Sequence, residues 1–370
     1  MTKVKDIIQL FEQWVPVTYA ESWDNVGLQI GNLDSNVEKV MTTLDVTDQI
    51  VDEAIEKDVD FILAHHPLLF EGLKQIDEKK LKGKVVHKLI KHNISVYSAH
   101  TNLDIVTGGV NDMLADRLFL QNQKVLVPSI TEKLFKFVAY VPQTHTGSFI
   151  EAIGEAGAGH IGNYSHCTFK SAGVGSFKPQ KGTNPFIGQE GVTEQVEEDR
   201  IETIVKENLL HTVIEVAKKA HPYEEMAYDI FPTVNNDQTL GLGRIGEITT
   251  EMNLQDYAET VKKAFNVPFV RFVGDADKII KKVAILGGSG KGYINAAIKH
   301  GADVYITGDL SYHEALDAKE EGIGLIDPGH HIEQIMKQGV REYFVQNIEK
   351  LPNKVEVICS EHSTEPFQWK

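Results

Sequence analysis

Short apolar runs alternate with helix-like segments from the start of the chain, and this alternation constrains its fold most strongly. Residues 40–45, 60–64 and 94–98 are apolar runs typical of strands, and residues 49–57 have the character of a helix between the first two. Strands and helices in this order are typical of βαβ units and a mainly parallel sheet. We therefore predict an α/β fold for this part of the chain.

The same alternation returns near the C-terminus. Residues 282–286, 303–307 and 324–326 are predicted strands, a glycine turn follows the first, and residues 294–300 are a predicted helix. The two stretches align at nearly equal spacing, which favours an internal duplication, although two unrelated βαβ units can share such spacing. We expect two similar βαβ-containing halves that form one discontinuous α/β domain.

A region of different character separates these halves. It contains further predicted strands, glycine-rich and acidic segments, and a predicted helix at residues 211–220. The order of these elements is typical of a small inserted α+β domain of the ferredoxin-like kind. We therefore predict a first metal-binding lobe at residues 1–125, the insert at 126–235 and a second metal-binding lobe at 236–370.

Histidines and carboxylates follow the predicted strands, at the edge where open α/β sheets bind their ligands. His65 and His66 come directly after the second predicted strand, and His100 and Asp104 follow the third. A pair of histidines is weak evidence alone, because a chain with 15 histidines contains such pairs by chance. Each histidine could also cap a strand or fill a polar pocket, but their common position favours a metal site.

A third motif, residues 327–333, follows the predicted strand at 324–326. If a helix begins near Gly329, His330 and Glu333 are three residues apart and share one face of that helix. His331 would then point away, so His330 is the predicted ligand. Residues so distant in sequence would meet at one centre if the two halves formed one sheet.

Together the three motifs supply five nitrogen or oxygen ligands: His65, His66, Asp104, His330 and Glu333. This number exceeds what one open zinc site uses, and it suits two divalent ions about 3.5–4 Å apart. Zinc is the expected metal, and iron, manganese and nickel remain alternatives for imidazole and carboxylate ligands. The two cysteines form no CxxC pair, which excludes a thiolate zinc site and a disulfide scaffold.

Three further residues have two interpretations each. Asp309 and His313 lie at a fourth strand end, where Asp309 could hydrogen-bond to a metal ligand and orient it, and His313 could transfer protons. Alternatively, Asp309 caps a helix that carries His313. His100 is a candidate for proton transfer or an ordinary pocket histidine; its proximity to Asp104 in sequence favours the first.

The formal net charge of −16 argues against nonspecific binding to nucleic acid. The N-terminal segment lacks the features of a signal peptide, and no apolar stretch reaches the length of a membrane span. We therefore expect a cytoplasmic protein whose partner is a small-molecule substrate or ligand.

The strand-terminal motifs AHHPLLF, SAHTNLD, TGDLSYHEALDA and GHHIE resemble those of the NIF-three-like family, the GTP cyclohydrolase I type 2 homologues. AGAGHIGNYSHC and AHPYEEMAYDI are similar to the CutA-like, PII-like middle domain of that family. The resemblance covers essentially the whole chain. It implies a dinuclear metal centre with the five ligands above, and a toroidal homohexamer whose sites face an internal cavity.

Two functions are compatible with these residues. The first is a metal-dependent hydrolase that acts on a nucleotide or related small molecule; GTP as the substrate follows from the resemblance alone. The second is a non-enzymatic metal-binding or regulatory protein whose insert senses a ligand or gates the cavity. An open coordination position beside a substrate-sized pocket would favour the hydrolase.

Overall fold

The computed structural model describes residues 1–368, and the side chains of all of these except residues 132 and 236–238. Within this range the strands are β1 (Gly27–Ile30), β2 (Lys39–Thr43), β3 (Phe61–Ala64), β4 (Ser95–Ser98), β5 (Gln121–Pro142), β6 (Thr168–Phe177), β7 (Glu194–Lys206), β8 (Tyr228–Asn253), β9 (Arg271–Val273), β10 (Ile279–Ile285), β11 (Val304–Ile306), β12 (Gly324–Asp327) and β13 (Glu356–Cys359). The α-helices are α1 (Val4–Glu12), α2 (Asp48–Glu56), α3 (Leu81–Lys91), α4 (Thr101–Ile105), α5 (Val110–Arg117), α6 (Thr146–Glu155), α7 (Leu210–Ala220), α8 (Leu254–Phe265), α9 (Ile294–Lys299), α10 (Tyr312–Glu320) and α11 (Ile335–Asn347).

The chain forms two compact units. The first comprises Met1–Ile130 with Leu240–Lys370, and the second comprises Thr131–Thr239. The predicted mixed α/β fold is confirmed. The last two residues of the predicted second lobe, 369 and 370, lie outside the described residues.

One sheet of the first unit has the strand order β1-β4-β3-β2-β13. Strands β13, β2, β3 and β4 are parallel, and β1 joins the edge antiparallel to β4. Ile62 of β3 packs in one apolar cluster and its neighbours Phe61 and Leu63 pack in another. Because both faces of this sheet are buried, its strands are continuous apolar runs rather than alternating ones.

The second sheet of this unit contains the C-terminal part of β8, then β10, β11, β12 and β9. Strands β10, β11 and β12 are parallel. The two halves therefore form two sheets, so the meeting of their distant residues does not depend on the single sheet that was its stated condition. β13 also departs from the predicted halves, because it pairs in parallel with β2 of the first sheet.

In the second unit, β7 pairs antiparallel with both β5 and β6. Phe137 of β5, Phe149 of α6, Ile201 of β7 and Val213 of α7 belong to one buried cluster. The acidic segment recognised in the sequence is the first part of β7. Charged residues fit such a strand because an antiparallel sheet can leave one face in water.

None of the helices formed by residues 1–368 combines the length and apolar character that crossing a bilayer requires.

Candidate metal centre

The carboxyl end of β3 delivers two imidazoles to the edge of the first sheet. The backbone amides of His65 and His66 donate to the carbonyls of Thr43 and Leu44, which hold both residues beside the end of β2. The side chain of His65 is fully buried, and that of His66 is partly exposed. The pair therefore presents one imidazole inside the protein and one towards its surface.

A 3-10 turn, His330–Gln334, follows β12, and α11 begins only after it. Side chains three residues apart nearly eclipse each other in a 3-10 helix. His330 Nε2 accordingly lies 3.1 Å from Glu333 Oε2. The predicted start of an α-helix at Gly329 is thus corrected to a 3-10 turn, and the two side chains still share one face.

The five predicted ligands come together in one cluster at the carboxyl ends of strands from both sheets. We call His65, Asp104 and Glu333 the inner group, and His66, His330 and Glu333 the outer group. In the inner group, His65 Nε2 lies 3.6 Å from Asp104 Oδ1 and 3.8 Å from Glu333 Oε1. In the outer group, His66 Nε2 lies 3.2 Å from Glu333 Oε2 and 3.3 Å from His330 Nε2. Each group therefore uses a different oxygen of Glu333.

Each of the three imidazoles is oriented through its Nδ1 atom. The acceptors are Ala99 O for His65 at 2.8 Å, Asp45 Oδ1 for His66 at 2.7 Å, and Asp309 Oδ2 for His330 at 2.7 Å. Acceptors at Nδ1 fix the tautomer, so that the unprotonated Nε2 of a neutral ring faces the centre. This orientation is the one in which metal-ligating histidines are usually held.

The donor atoms fit divalent metal ions. His65 Nε2 and Asp104 Oδ1 are buried and have no hydrogen-bond partner among the residues that the structure describes. A buried polar atom left unpaired costs about 1–3 kcal/mol. The Nε2 atoms of His66 and His330 also lie only 3.3 Å apart in the outer group. A cation between these atoms would satisfy all of them.

The titration behaviour of the cluster reflects the same demand for positive charge. Burial alone would lower the pKa of His66, but hydrogen bonds to Asp45 and Glu333 raise it to about 10. The hydrogen bond to Glu333 raises the pKa of His330 to about 9 despite burial. Burial would raise the pKa of Glu333, yet its imidazole neighbours hold it well below the usual range.

Asp104 behaves differently from Glu333. Burial raises the pKa of Asp104 to about 6, against the attraction of His65 and with the repulsion of Glu333. Two buried carboxylates that face one imidazole need more positive charge than that ring can supply.

His100 stands beside the cluster and is held by a carboxylate that the sequence did not indicate. Its Nδ1 lies 2.9 Å from Asp24 Oδ1, and Asp24 also accepts from the amide and hydroxyl of Thr101. Burial would raise the pKa of Asp24, but these hydrogen bonds lower it to about 2. A ring nitrogen of His100 lies within 4.8 Å of ligand atoms of His65 and His66. His100 is therefore fixed in orientation at the edge of the centre.

Asp309 and His313 have different surroundings. Asp309 has a φ of 56° and contacts His330, whereas the residue that precedes α10 is Ser311. His313 is exposed on α10, packs edge-on against Tyr312, and belongs to none of the donor groups found among the described residues. The structure brings Asp309 to the cluster and leaves His313 outside it.

Sequence reasoning missed three features of the centre. Asp45 lies two residues after the end of β2, so the criterion of a polar residue near a strand end could have found it. Gly288 has a φ of 60°, and a Cβ there would lie 2.7 Å from Glu333 Oε1, so the glycine turn makes room for this carboxylate. Asp24 precedes an edge strand, and no pattern in the sequence marks it.

The outer group opens onto a cavity of about 940 Å³. His66, His330 and Asp309 line one part of it, and the cationic side chains of Lys82 and Arg271 line another. A cavity of this size accommodates a small molecule. A ligand bound there would have direct access to the outer group.

Comparisons with known proteins agree over nearly the full length of the chain. The family model for Duf34/NIF3 (NGG1p interacting factor 3) matches residues 2–366. The GTP cyclohydrolase 1 type 2 homolog of Halalkalibacterium halodurans is 50% identical over 361 residues, which cover 98% of this chain and 97% of that protein. The homolog of Bacillus subtilis is 49% identical, with 98% and 97% covered. The crystal structure of a Bacillus cereus protein related to NIF3 superimposes with a TM-score of 0.91 at 48% identity, covering 100% of this chain and 99% of that one.

Proposed function

The chain belongs to the Duf34/NIF3 family, and from this premise and the geometry of its centre we propose that it is a dinuclear metal-dependent hydrolase. Its substrate would be a nucleotide or a related small molecule. The observation that carries the proposal is that two three-residue donor groups share Glu333 while one of them opens onto a substrate-sized cavity. The relatives' name, GTP cyclohydrolase 1 type 2 homolog, makes GTP the first compound to test.

In this proposal the inner group holds one ion and the outer group holds the other. Each group offers three protein ligands, which is the number that catalytic zinc sites use when they keep a position open. Zinc is our first choice of metal, with iron, manganese and nickel as alternatives. Glu333 would be the ligand common to both ions, because Oε1 lies in the inner group and Oε2 in the outer group.

Two divalent ions held by these groups would lower the pKa of water and stabilise the charge of a displacement. The residues of the chain would supply the other parts of the reaction. Asp45 and Asp309 orient His66 and His330 towards the centre. His100, fixed by Asp24, would hold or move a proton at its other ring nitrogen, Nε2. His313 stays a prediction for this role.

The organisation of the chain enters the proposal as well. We retain a ferredoxin-like insert between two metal-binding lobes, with the second unit as the insert. Its order of elements, β5-α6-β6-β7-α7-β8, supports this. We also retain the homohexamer and the cytoplasmic location.

Elemental analysis and an activity screen test the proposed function together. We expect about two divalent ions per chain, and hydrolysis of at least one compound in a panel of nucleotides and phosphoesters that includes GTP. Activity should be lost with a chelator, return with metal, and be absent in His330→Ala. Two tightly bound ions without turnover of any compound would favour the non-enzymatic alternative, whereas a protein that binds no metal would contradict the proposal at its base.

A further inference from the structure

Two large aromatic side chains stand exposed beside the centre. Trp23 is 60% exposed and Phe70 is 53% exposed, although their rings contact each other at a centroid distance of 6.0 Å. Both rings also pack against the imidazole of His100, at 6.1 Å and 6.5 Å. We call Trp23, Phe70 and His100 the aromatic corner.

Hydrogen bonds hold the corner in place. The side chain of Asn25 donates to the carbonyl of Leu69. This bond joins the loop that carries Trp23 to the loop that carries Phe70. Gln29 strengthens this tie, because its Nε2 donates to Asn25 O at 2.9 Å and its Oε1 accepts from Leu69 N at 3.1 Å. The two exposed rings are therefore presented by connected loops rather than by independent ones.

The base of the Trp23 loop is fixed by the residue that orients His100. The side chain of Asp24 is shielded from solvent and accepts four hydrogen bonds, from the amide of Asn25, from His100 Nδ1, and from the amide and hydroxyl of Thr101. The backbone amide of Glu21 donates to Thr101 Oγ1 at 2.9 Å. The ring of Trp23 and the imidazole beside the donor groups are thus positioned by one carboxylate.

We propose that Trp23 and Phe70 form a stacking subsite for a flat heteroaromatic ring, such as a nucleobase, in the ligand of this centre. The inference rests on the proposed function, because it assigns the ligand to the same site. Exposed and preorganised aromatic rings lose little conformational entropy when a ligand binds, and stacking removes their apolar faces from water. Stacking on such rings accepts any base, since every base has a π face.

The position of the corner favours a small ligand. His100 contacts both aromatic rings on one side, and one of its ring nitrogens lies within 4.8 Å of ligand atoms of His65 and His66 on the other. A ring stacked on Trp23 or Phe70 would therefore carry its polar substituents towards the donor groups. A macromolecular partner would have no comparable reason to approach these imidazoles.

Ligand binding to the metal-loaded protein tests this subsite. The probes are guanosine and adenosine, with ribose 5-phosphate as the matched probe that lacks an aromatic ring. We expect both nucleosides to quench tryptophan fluorescence and ribose 5-phosphate to leave it unchanged. Trp23→Phe should abolish the quenching and so assign it to Trp23, since the chain contains two other tryptophans.

Affinity measured by equilibrium dialysis separates stacking from quenching. Trp23→Leu and Phe70→Leu should each weaken nucleoside binding about tenfold or more, whereas Trp23→Phe should retain most of it. Phe119→Leu, at an exposed phenylalanine outside the corner, is the control and should bind like the unchanged protein. Nucleoside binding that is indifferent to both leucine substitutions would overturn the subsite.

Metal content measured on the same samples distinguishes this inference from the proposed function. Two bound ions without Trp23-dependent nucleoside binding would overturn the subsite alone. Trp23-dependent binding in a protein that takes up no metal would support the subsite and contradict the proposed function. A shift of the Trp23 emission with protein concentration, without nucleoside, would identify the corner as a contact between copies of the chain and overturn the subsite.

Discussion

The inner and outer groups share one carboxylate and differ in almost everything else. His65 and Asp104 of the inner group are buried, whereas the side chains of His66 and His330 are 23% and 37% exposed. A backbone carbonyl orients the inner imidazole, and carboxylates orient the two outer ones. A carboxylate partner makes an imidazole more basic than a carbonyl partner does. The solvent exposure of the outer imidazoles also makes them accessible to other molecules. The comparison indicates that a buried ion would be retained while the outer position exchanges ligands.

Loss of the shared carboxylate should have the largest effect on metal binding. Glu333→Gln removes the negative charge that faces both groups, so we expect it to lose both ions. Elemental analysis after dialysis measures this, with circular dichroism to verify the fold. Glu365→Gln is the matched control, because it removes a carboxylate that lines the cavity outside both groups. This variant should retain its metal. Retention of one full equivalent by Glu333→Gln would show that the groups do not depend on a common ligand.

Substitutions confined to one group should separate the two sites. Asp104→Asn should release the inner ion, and His330→Ala should release the outer ion, so each variant should keep about one equivalent. We expect the inner ion of unchanged protein to resist a chelator longer, because its ligands are buried. Chelator titration followed by metal counting measures both effects. Loss of both ions from His330→Ala would contradict this separation, since binding of the inner ion would then depend on the outer group.

The carboxylates behind the outer imidazoles should have a smaller effect. Asp309→Asn and Asp45→Asn each keep the shape of the side chain but remove the charge that orients an imidazole. Losses of such partners typically weaken metal affinity about 10–100-fold. We expect the affinity for the outer ion to fall by a factor in this range while the affinity for the inner ion is unchanged. Competition with a metal indicator measures both affinities. An equal loss of affinity for both ions would contradict the separation of the groups.

The smallest effect is expected at His331. It precedes Glu333 by two residues, and it belongs to none of the donor groups found in the part of the chain that the structure describes. His331→Ala should therefore change metal affinity by less than about threefold, against the loss expected for His330→Ala. Calorimetric titration of both variants with Zn²⁺ makes the comparison. A larger loss for His331→Ala would mean that the 3-10 turn presents the other imidazole.

Much of the centre could be predicted because a polar residue that follows an apolar parallel strand lies at the carboxyl edge of its sheet, and this holds in both sheets. His65, Asp104 and His330 each follow an apolar strand, so the pattern that identifies the strand also identifies the position of the side chain. The spacing of His330 and Glu333 gave the correct face even though the turn is 3-10 rather than α-helical, because i and i+3 are neighbours in both.

The features that were missed depend on contacts between distant segments. β13 is an apolar run like any other, and only pairing with β2 places it in the first sheet. Asp24 is a polar residue in a loop. It orients His100 only because folding brings His100 and Thr101 within hydrogen-bond distance of its carboxylate. The strand β7, which pairs with β6, was hard to recognise because its first part is acidic. An antiparallel sheet accommodates such residues on a face that is exposed to water.

The pairing of β13 with β2 has a consequence for how the protein is made. Synthesis proceeds at about 5–20 residues per second, so His330 emerges roughly 13–50 s after His66. Throughout that interval the first sheet lacks β13, and Glu333 has not yet been added between the imidazoles. If the protein binds two ions as proposed, the nascent chain presents His65 and His66 long before the other ligands exist, so discrimination between metals would be possible only in the finished protein.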